Sequence, residues 1–262
     1  MKRDYETLDL SLDDRGVCYL TLNLPEKRNA LSATMIDELT EFATTFKAGA
    51  GTRVVVMRGA GKVFCAGGDL KWMQAQIAAD RATRIVEATK LAQMLRALNE
   101  LPAPLIGQVH GGCFGGGVGM ASVCDTVIAH SDTKFGLTET RLGIIPATIG
   151  PYVIARMGEG RARRVFMNAE IFGSKKAVEL GLVAQIAGDD DMDAAVEAAV
   201  FPYLNVAPLA VAEAKALARE LGPTIDESVI TRTIERLADI WEGEEATHGI
   251  DAFFAKQKPR WQ

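Results

Sequence analysis

Apolar and polar residues alternate at a period of two from Tyr5 to Leu12 and again from Gly16 to Leu22, with Asp13, Asp14 and Arg15 between them. That pattern predicts an opening antiparallel hairpin. After a loop through Pro25, Ser32 stands as the N-cap of a helix to about Lys47, because Met35, Ile36, Leu39, Phe42, Ala43 and Phe46 recur at helical spacing. The β-branched run Arg53 to Arg58 reads as a buried strand. A Gly and Ala loop between Gly59 and Gly68 leads, beyond Asp69, into a helix to about Leu101, where Pro102 and Pro104 stop it. Leu105 to Val109 is a further strand, followed by six glycines in the ten residues His110 to Gly119. Met120 to Val123 resumes an apolar run, and Thr126 to Ala129 and Lys134 to Gly136 are two more short strands. Beyond about Asp189 the pattern turns helical throughout: Met192 to Phe201, Leu209 to Leu221, Ile225 to Trp241 and Gly249 to Lys256. The expected architecture is an α/β core coiled into successive turns over residues 1–190, then a helical C-terminal region over 191–262. No period of 20 to 50 residues repeats, so a consensus solenoid is not supported.

Composition narrows the classes of function. The 262 residues are 48% hydrophobic and 24% charged, enough to bury a sizeable core. The 29 basic and 34 acidic side chains give a net charge of -5 without long blocks, so nucleic acid is not an expected partner. Cys18, Cys65, Cys113 and Cys124 have no C-x-x-C spacing and read as reduced thiols. No apolar h-region follows Lys2 and Arg3, and no apolar window reaches 18 residues, so neither a secretory signal nor a membrane span is expected. A cytoplasmic location follows as an expectation. His110, His130 and His248 are isolated, and no metal site is expected.

Candidate chemistry concentrates where glycine meets the start of a helix, at Phe64-Cys65-Ala66-Gly67-Gly68-Asp69-Leu70 and at Cys113-Phe114-Gly115-Gly116-Gly117-Val118-Gly119. Glycine there lets the backbone bring N–H groups close to a ligand, where the helix dipole adds positive potential. Two such junctions can form an oxyanion hole; alternatively, glycine only permits tight crossing of strand and helix. Nucleotide-phosphate loops are disfavoured, because Gly61-Lys62 is followed by Val63 and no G-x-G-x-x-G fits. A serine hydrolase is weak as well, since no G-x-S-x-G occurs and a Ser122, His130, Asp132 triad has little to commend it.

Several ordered motifs carry a resemblance. Asn29-Ala30-Leu31, Phe64 to Leu70, Phe114-Gly115-Gly116-Gly117, Cys124-Asp125, Phe135 to Pro146, Ala177 to Val183 and Phe253-Phe254-Ala255-Lys256 together resemble the enoyl-CoA hydratase/isomerase (crotonase) family. In look they are nearest to hydratases of branched glutaconyl-CoA compounds. The resemblance implies a spiral of ββα turns, a helical C-terminal region for oligomerisation, homotrimers or homohexamers, and an acyl-CoA substrate whose coenzyme A needs no further cofactor. It also implies that the N–H groups of Gly68 and Gly116 hold the thioester oxygen, and that Lys27, Ala30, Ala66, Gly68, Asp69, Leu70 and Lys71 line the CoA channel. The physics is consistent: each preorganised donor to a developing enolate oxygen is worth about 3 to 4 kcal/mol of barrier.

By the same resemblance, hydratases use two glutamates, and here the second is Glu139 while the first position is Gly119. Glu139 is then the acid-base group, against the alternative of a surface carboxylate capping a turn. A single carboxylate suits moving a double bond from the β,γ to the α,β position, with a proton taken at C2 and returned at C4 by way of a dienolate, and makes hydration harder without forbidding it. The resemblance to branched hydratases places hydration first, isomerisation second, and a non-catalytic acyl-CoA binder third. Glycine at 119 is expected to make room for a substrate branch, a carboxylate or a water. Arg141 is a partner for a substrate carboxylate or, equally, a loop anchor. Trp72 and Met73, beside Lys71 and Gln76, are expected more in the core than in a pocket wall, and Lys256 and Lys258 as solvated rather than phosphate-bound.

Overall fold

The computed structural model describes residues 4–262; Met1, Lys2 and Arg3, on which the reading of a signal peptide turned, lie outside them. Among the described residues the strands are β1 Leu8–Leu12, β2 Val17–Leu22, β3 Val54–Gly59, β4 Leu105–Val109, β5 Gly112–Phe114, β6 Thr126–His130, β7 Lys134–Gly136, β8 Ile171–Gly173 and β9 Gln185–Ala187. The helices of the core are α1 Ala33–Thr45, α2 Leu70–Ala78, α3 Arg81–Asn99, α4 Gly116–Val123, α5 Gly150–Met157, α6 Glu159–Phe166 and α7 Ser174–Glu179. Those that follow are α8 Met192–Val200, α9 Pro208–Glu220, α10 Glu227–Trp241 and α11 Glu244–Phe254.

The expected hairpin forms, with β1 antiparallel to β2, and Asp13 shapes its turn by accepting from the N–H groups of Arg15 and Val17. From β2 onward the main sheet is parallel, in the order β1-β2-β3-β4-β6-β9. Both faces are covered, which is why its strands read as apolar runs. Cys18, Leu20, Leu22, Val55 and Met57 face the principal core, while Val17, Val54, Val56, Ile106 and Ile128 pack on Met192, Ala195, Val196 and Val200 of α8. A second sheet of order β5-β7-β8 stands beside it. Chain direction explains the pairing of sheets: β4 passes straight into β5 and then α4, and β6 into β7 before the next helical turn. Two successive coils of this spiral thus each supply one strand to each sheet and then a helical segment. The α/β spiral followed by helices is as the sequence predicts.

Three details differ from the pattern-based reading. The long helix beyond Asp69 is two helices, because Ala79 is extended, Asp80 caps α3 through Thr83 N at 2.8 Å, and the Arg84 guanidinium donates to the carbonyls of Gln76 and Ile77. Strand β5 lies inside the glycine run, where no apolar alternation announces it. Strands β8 and β9 and helices α5 to α7 are too short for periodicity to register. Ser32 does cap α1, accepting from Met35 N at 3.2 Å.

Candidate active site

The two glycine turns sit at the N-termini of α2 and α4, and one short ladder holds them together. Cys65 N donates to Gly112 O at 3.0 Å and Phe114 N to Cys65 O at 3.0 Å, so β5 is stitched to the segment before Gly67. On its other side that segment binds the 28–31 loop, through Ala66 N to Arg28 O, Leu31 N to Gly67 O and Asp69 N to Leu31 O. Asn29 locks this loop in turn. It is fully buried in the left-handed region, its Oδ1 accepts from Leu24 N, and its Nδ2 donates to Ala60 O and Val63 O.

Gly115, with φ 48° and ψ -114°, caps α4 in a conformation that L side chains rarely adopt. A Cβ built on it would stand 3.3 Å from Oε1 of Glu139 and 3.9 Å from Cα of Gly67. The two turns and one carboxylate therefore converge on a single point. Among the described residues, no hydrogen-bond acceptor takes the N–H of Gly68 or of Gly116. Two free backbone donors thus head two helices beside that carboxylate.

Glu139 opens a 3-10 turn, Glu139–Leu142, that follows β7. Oε2 is buried without a hydrogen-bond partner. Burial pushes the carboxyl from its ordinary 4.5 up to about 7, against a smaller lowering by its own backbone N–H. The turn is backed by α11, where Ile250 and Ala246 pack on Ile144. Backbones meet there: a Cβ on Gly143 would lie 2.4 Å from Glu245 O, and one on Gly249 2.6 Å from Leu142 O.

These elements enclose a cavity of about 470 Å³ lined by Gly68, Gly116, Glu139 and Arg141 together with a mostly apolar wall. Among the described residues, Glu139 and Arg141 are the only ionisable ones in that lining. A surface cleft of about 580 Å³ under α9, bordered by Asp125, Arg156 and Lys215, shares no residue with it. In that cleft Lys215 Nζ lies 2.7 Å from Asp125, a pair already satisfied.

A small, mostly apolar cavity with free amides and one buried acid is the shape of a site for acyl chemistry. Comparison with known proteins agrees: residues 13–262 match the sequence profile of enoyl-CoA hydratase/isomerase. The chain belongs to that family. Among its relatives, a probable enoyl-CoA hydratase of Bacillus subtilis is 30% identical, over 95% of this chain and 96% of its own. An enoyl-CoA hydratase structure from Shewanella pealeana is 36% identical with a TM-score of 0.80, covering 98% of this chain and 96% of that one. The structure of AtuE from Pseudomonas aeruginosa is 37% identical with a TM-score of 0.78, covering 98% and 99%. The spiral is the fold of this family.

The residues expected at the site divide. Ala66, Gly68, Leu70, Gly116, Glu139 and Arg141 line the cavity; Lys27, Ala30, Asp69 and Lys71 do not. Asp69 instead caps α2, accepting from the N–H groups of Lys71 and Trp72. Lys27 and Lys71 are exposed, and Ala30 is buried in the loop that Asn29 fastens. Arg141 donates to Ala169 O at 2.8 Å, which favours the loop-anchor reading. Trp72 and Met73 prove to be cavity wall, while Gln76 is buried deeper along α2. Lys256 and Lys258 are exposed. The triad is not assembled, since Ser122 donates to Val118 O and the His130 ring accepts from Asp132 N.

Two things escaped the sequence reading. Gly119 makes no room for a branch, a carboxylate or a water: the space where its side chain would stand is filled by Ile149. And Leu237, Trp241 and Phe253, from the helical region beyond residue 190, close the cavity that the earlier part of the chain builds. A contact across about a hundred residues leaves no mark in local periodicity; only the apolar spacing of α10 hinted that one face was committed to something.

Proposed function

We propose that the protein is an enoyl-CoA hydratase that adds water reversibly across the C2=C3 bond of an α,β-unsaturated acyl-CoA thioester. The observation that supports this reading is that the acceptor-free amides of Gly68 and Gly116 line one cavity with Glu139, whose carboxyl burial pushes up to about 7. The N–H groups of Gly68 and Gly116 hold the thioester oxygen. Glu139 takes a proton from water as the water oxygen bonds to C3, and the C2=C3 π pair shifts toward C1 to give an enolate on that oxygen. The same carboxyl then returns the proton to C2 as the enolate collapses, leaving a 3-hydroxyacyl-CoA. One group can do both because at neutral pH it exists in both protonation states. The reading is also supported by relatives named enoyl-CoA hydratases.

A specific feature favours isomerisation as the second reading: among the described residues Glu139 is the only carboxylate in the cavity lining, and moving a β,γ double bond into conjugation needs only one base. Incubation with crotonyl-CoA, a β,γ-enoyl-CoA and 3-methylglutaconyl-CoA separates the cases. Water addition supports the hydratase, double-bond migration without water addition overturns it for the isomerase, and tight binding without turnover leaves a non-catalytic binder. We further propose a homotrimer or homohexamer. The support is α9, which has no buried residue and leaves Leu209, Leu217 and Leu221 exposed; sedimentation equilibrium at the mass of a monomer would refute it.

A further inference from the structure

The position where the resemblance expects a first glutamate is not vacant. A Cβ added to Gly119 would lie 2.6 Å from Cγ2 and 3.0 Å from Cβ of Ile149, and 3.4 Å from Cδ1 of Leu95. Gly119 is in regular helix, its N–H donating to Gly115 O at 3.1 Å, so no unusual dihedral calls for glycine there. Glycine inside a helix is less favourable than alanine. What requires it is the side chain pressed onto it. Ile149 is 2% exposed and lines the cavity, and its β-branch leaves it few rotamers with which to step aside. Its neighbours in the wall, Ile144, Ile145 and Pro146, are hydrocarbon too, and Arg141 is tied to Ala169 O.

We infer that Ile149, seated on Gly119, is a specificity-determining residue. It excludes a second carboxylate from the cavity and offers hydrocarbon in its place, so the acyl group accepted beside it is hydrocarbon, and one that carries a carboxylate there is disfavoured. Among the described residues the polar side chains of this wall are Thr138, Glu139, Arg141 and Thr148, and the one cation among them, Arg141, is anchored to Ala169 O. The steric half of the inference stands on packing alone; the substrate half rests on the acyl-CoA reading of the cavity.

Two measurements test the halves separately. Thermal unfolding of Gly119→Ala, Ile149→Ala and the double variant reads the packing. Gly119→Ala is expected to lower Tm by about 2 to 4 °C, and the double variant to lose clearly less than the sum of the singles. Additive losses, or a Gly119→Ala protein as stable as the parent, would overturn the seating. Calorimetric dissociation constants for 3-methylcrotonyl-CoA and 3-methylglutaconyl-CoA, in a Glu139→Gln background that prevents turnover, read the preference. The thioester without the carboxylate is expected to bind more tightly, and Ile149→Thr to erode that margin about tenfold. An unchanged ratio overturns the selectivity while leaving the acyl-CoA reading intact. If neither thioester binds, the acyl-CoA reading and the substrate half fall together, and the unfolding measurements alone decide the seating.

Discussion

The two glycine turns that face each other across the cavity are built on opposite plans. Helix α4 is buried on every side, with seven of its eight residues from Gly117 to Val123 in the core and no side chain capping its start. Helix α2 lies at the surface, with Gln76 its one buried residue, and is held at its start by the Asp69 carboxylate. A donor on α4 is therefore fixed by the packing of the whole core, whereas a donor on α2 is fixed by a cap and a few loop hydrogen bonds. Buried and surface supports fail differently, and only the second can adjust to a ligand without disturbing the fold.

The largest effect separating the two plans is expected on the α4 side. A Cβ on Gly117 would lie 2.9 Å from the Cys65 carbonyl oxygen and 3.0 Å from Cys65 Cβ, and backbone at that distance cannot rotate away. Gly117→Ala is expected to cost about 3 kcal/mol or more in denaturant unfolding. A loss under about 1 kcal/mol would mean that α4 is less rigidly set than its burial implies.

Glu139 leans on the same turn and provides the next effect. Its folded pKa of about 7 lies above the ordinary 4.5, so the folded state favours the protonated acid. The stability this confers is fully present below about pH 4.5 and is lost as pH rises through 7. Relative to the parent, Glu139→Gln should therefore gain up to about 3 kcal/mol between pH 4.5 and 8. Parallel stability curves for the two proteins over that range would show that the acid is solvated after all. The activity of the parent is expected to rise through the same pH interval, if ionised Glu139 starts the reaction.

The α2 side should respond less. Asp69→Ala removes a cap that serves two N–H groups and is expected to cost about 1 kcal/mol, with a larger proportional loss of activity than of stability because Gly68 precedes the cap. Smallest of all is Gly68→Ala. Its Cβ would find Met73 Cγ at 3.7 Å and Trp72 Cε3 at 3.8 Å, which is ordinary contact. Stability should change by less than about 0.5 kcal/mol. A large loss there would erase the contrast between the turns.

Legibility in the sequence followed the range of the interaction. The hairpin, α1 with its Ser32 cap, and β4, β6 and β7 were readable because alternation, helical spacing and caps are local. Gly68, Gly116 and Glu139 were readable because they stand in ordered motifs, and they do share one cavity. The resemblance carried that reading; glycine content alone left it open. Ile149 was not legible, since only the folded chain shows that it rests on Gly119, thirty residues earlier. Asn29 was visible as part of a motif, but its work as a three-way latch was not, because its partners Leu24, Ala60 and Val63 are set by tertiary structure. The break between α2 and α3 had a local signal in Asp80, overlooked because apolar residues continue on both sides.

The backing of the Glu139 turn by α11 carries a consequence for how the protein comes into being. Synthesis runs from the N-terminus, so the spiral and both glycine turns leave the ribosome well before the segment from Glu244 to Phe254 does. Until that last stretch arrives, Gly143 has no neighbour to close against and the acid stands on an unbraced corner. Bracing of the Glu139 turn is then a late step of folding, and a nascent chain that has not yet released residues 244–254 would hold the spiral with its acid still unsupported.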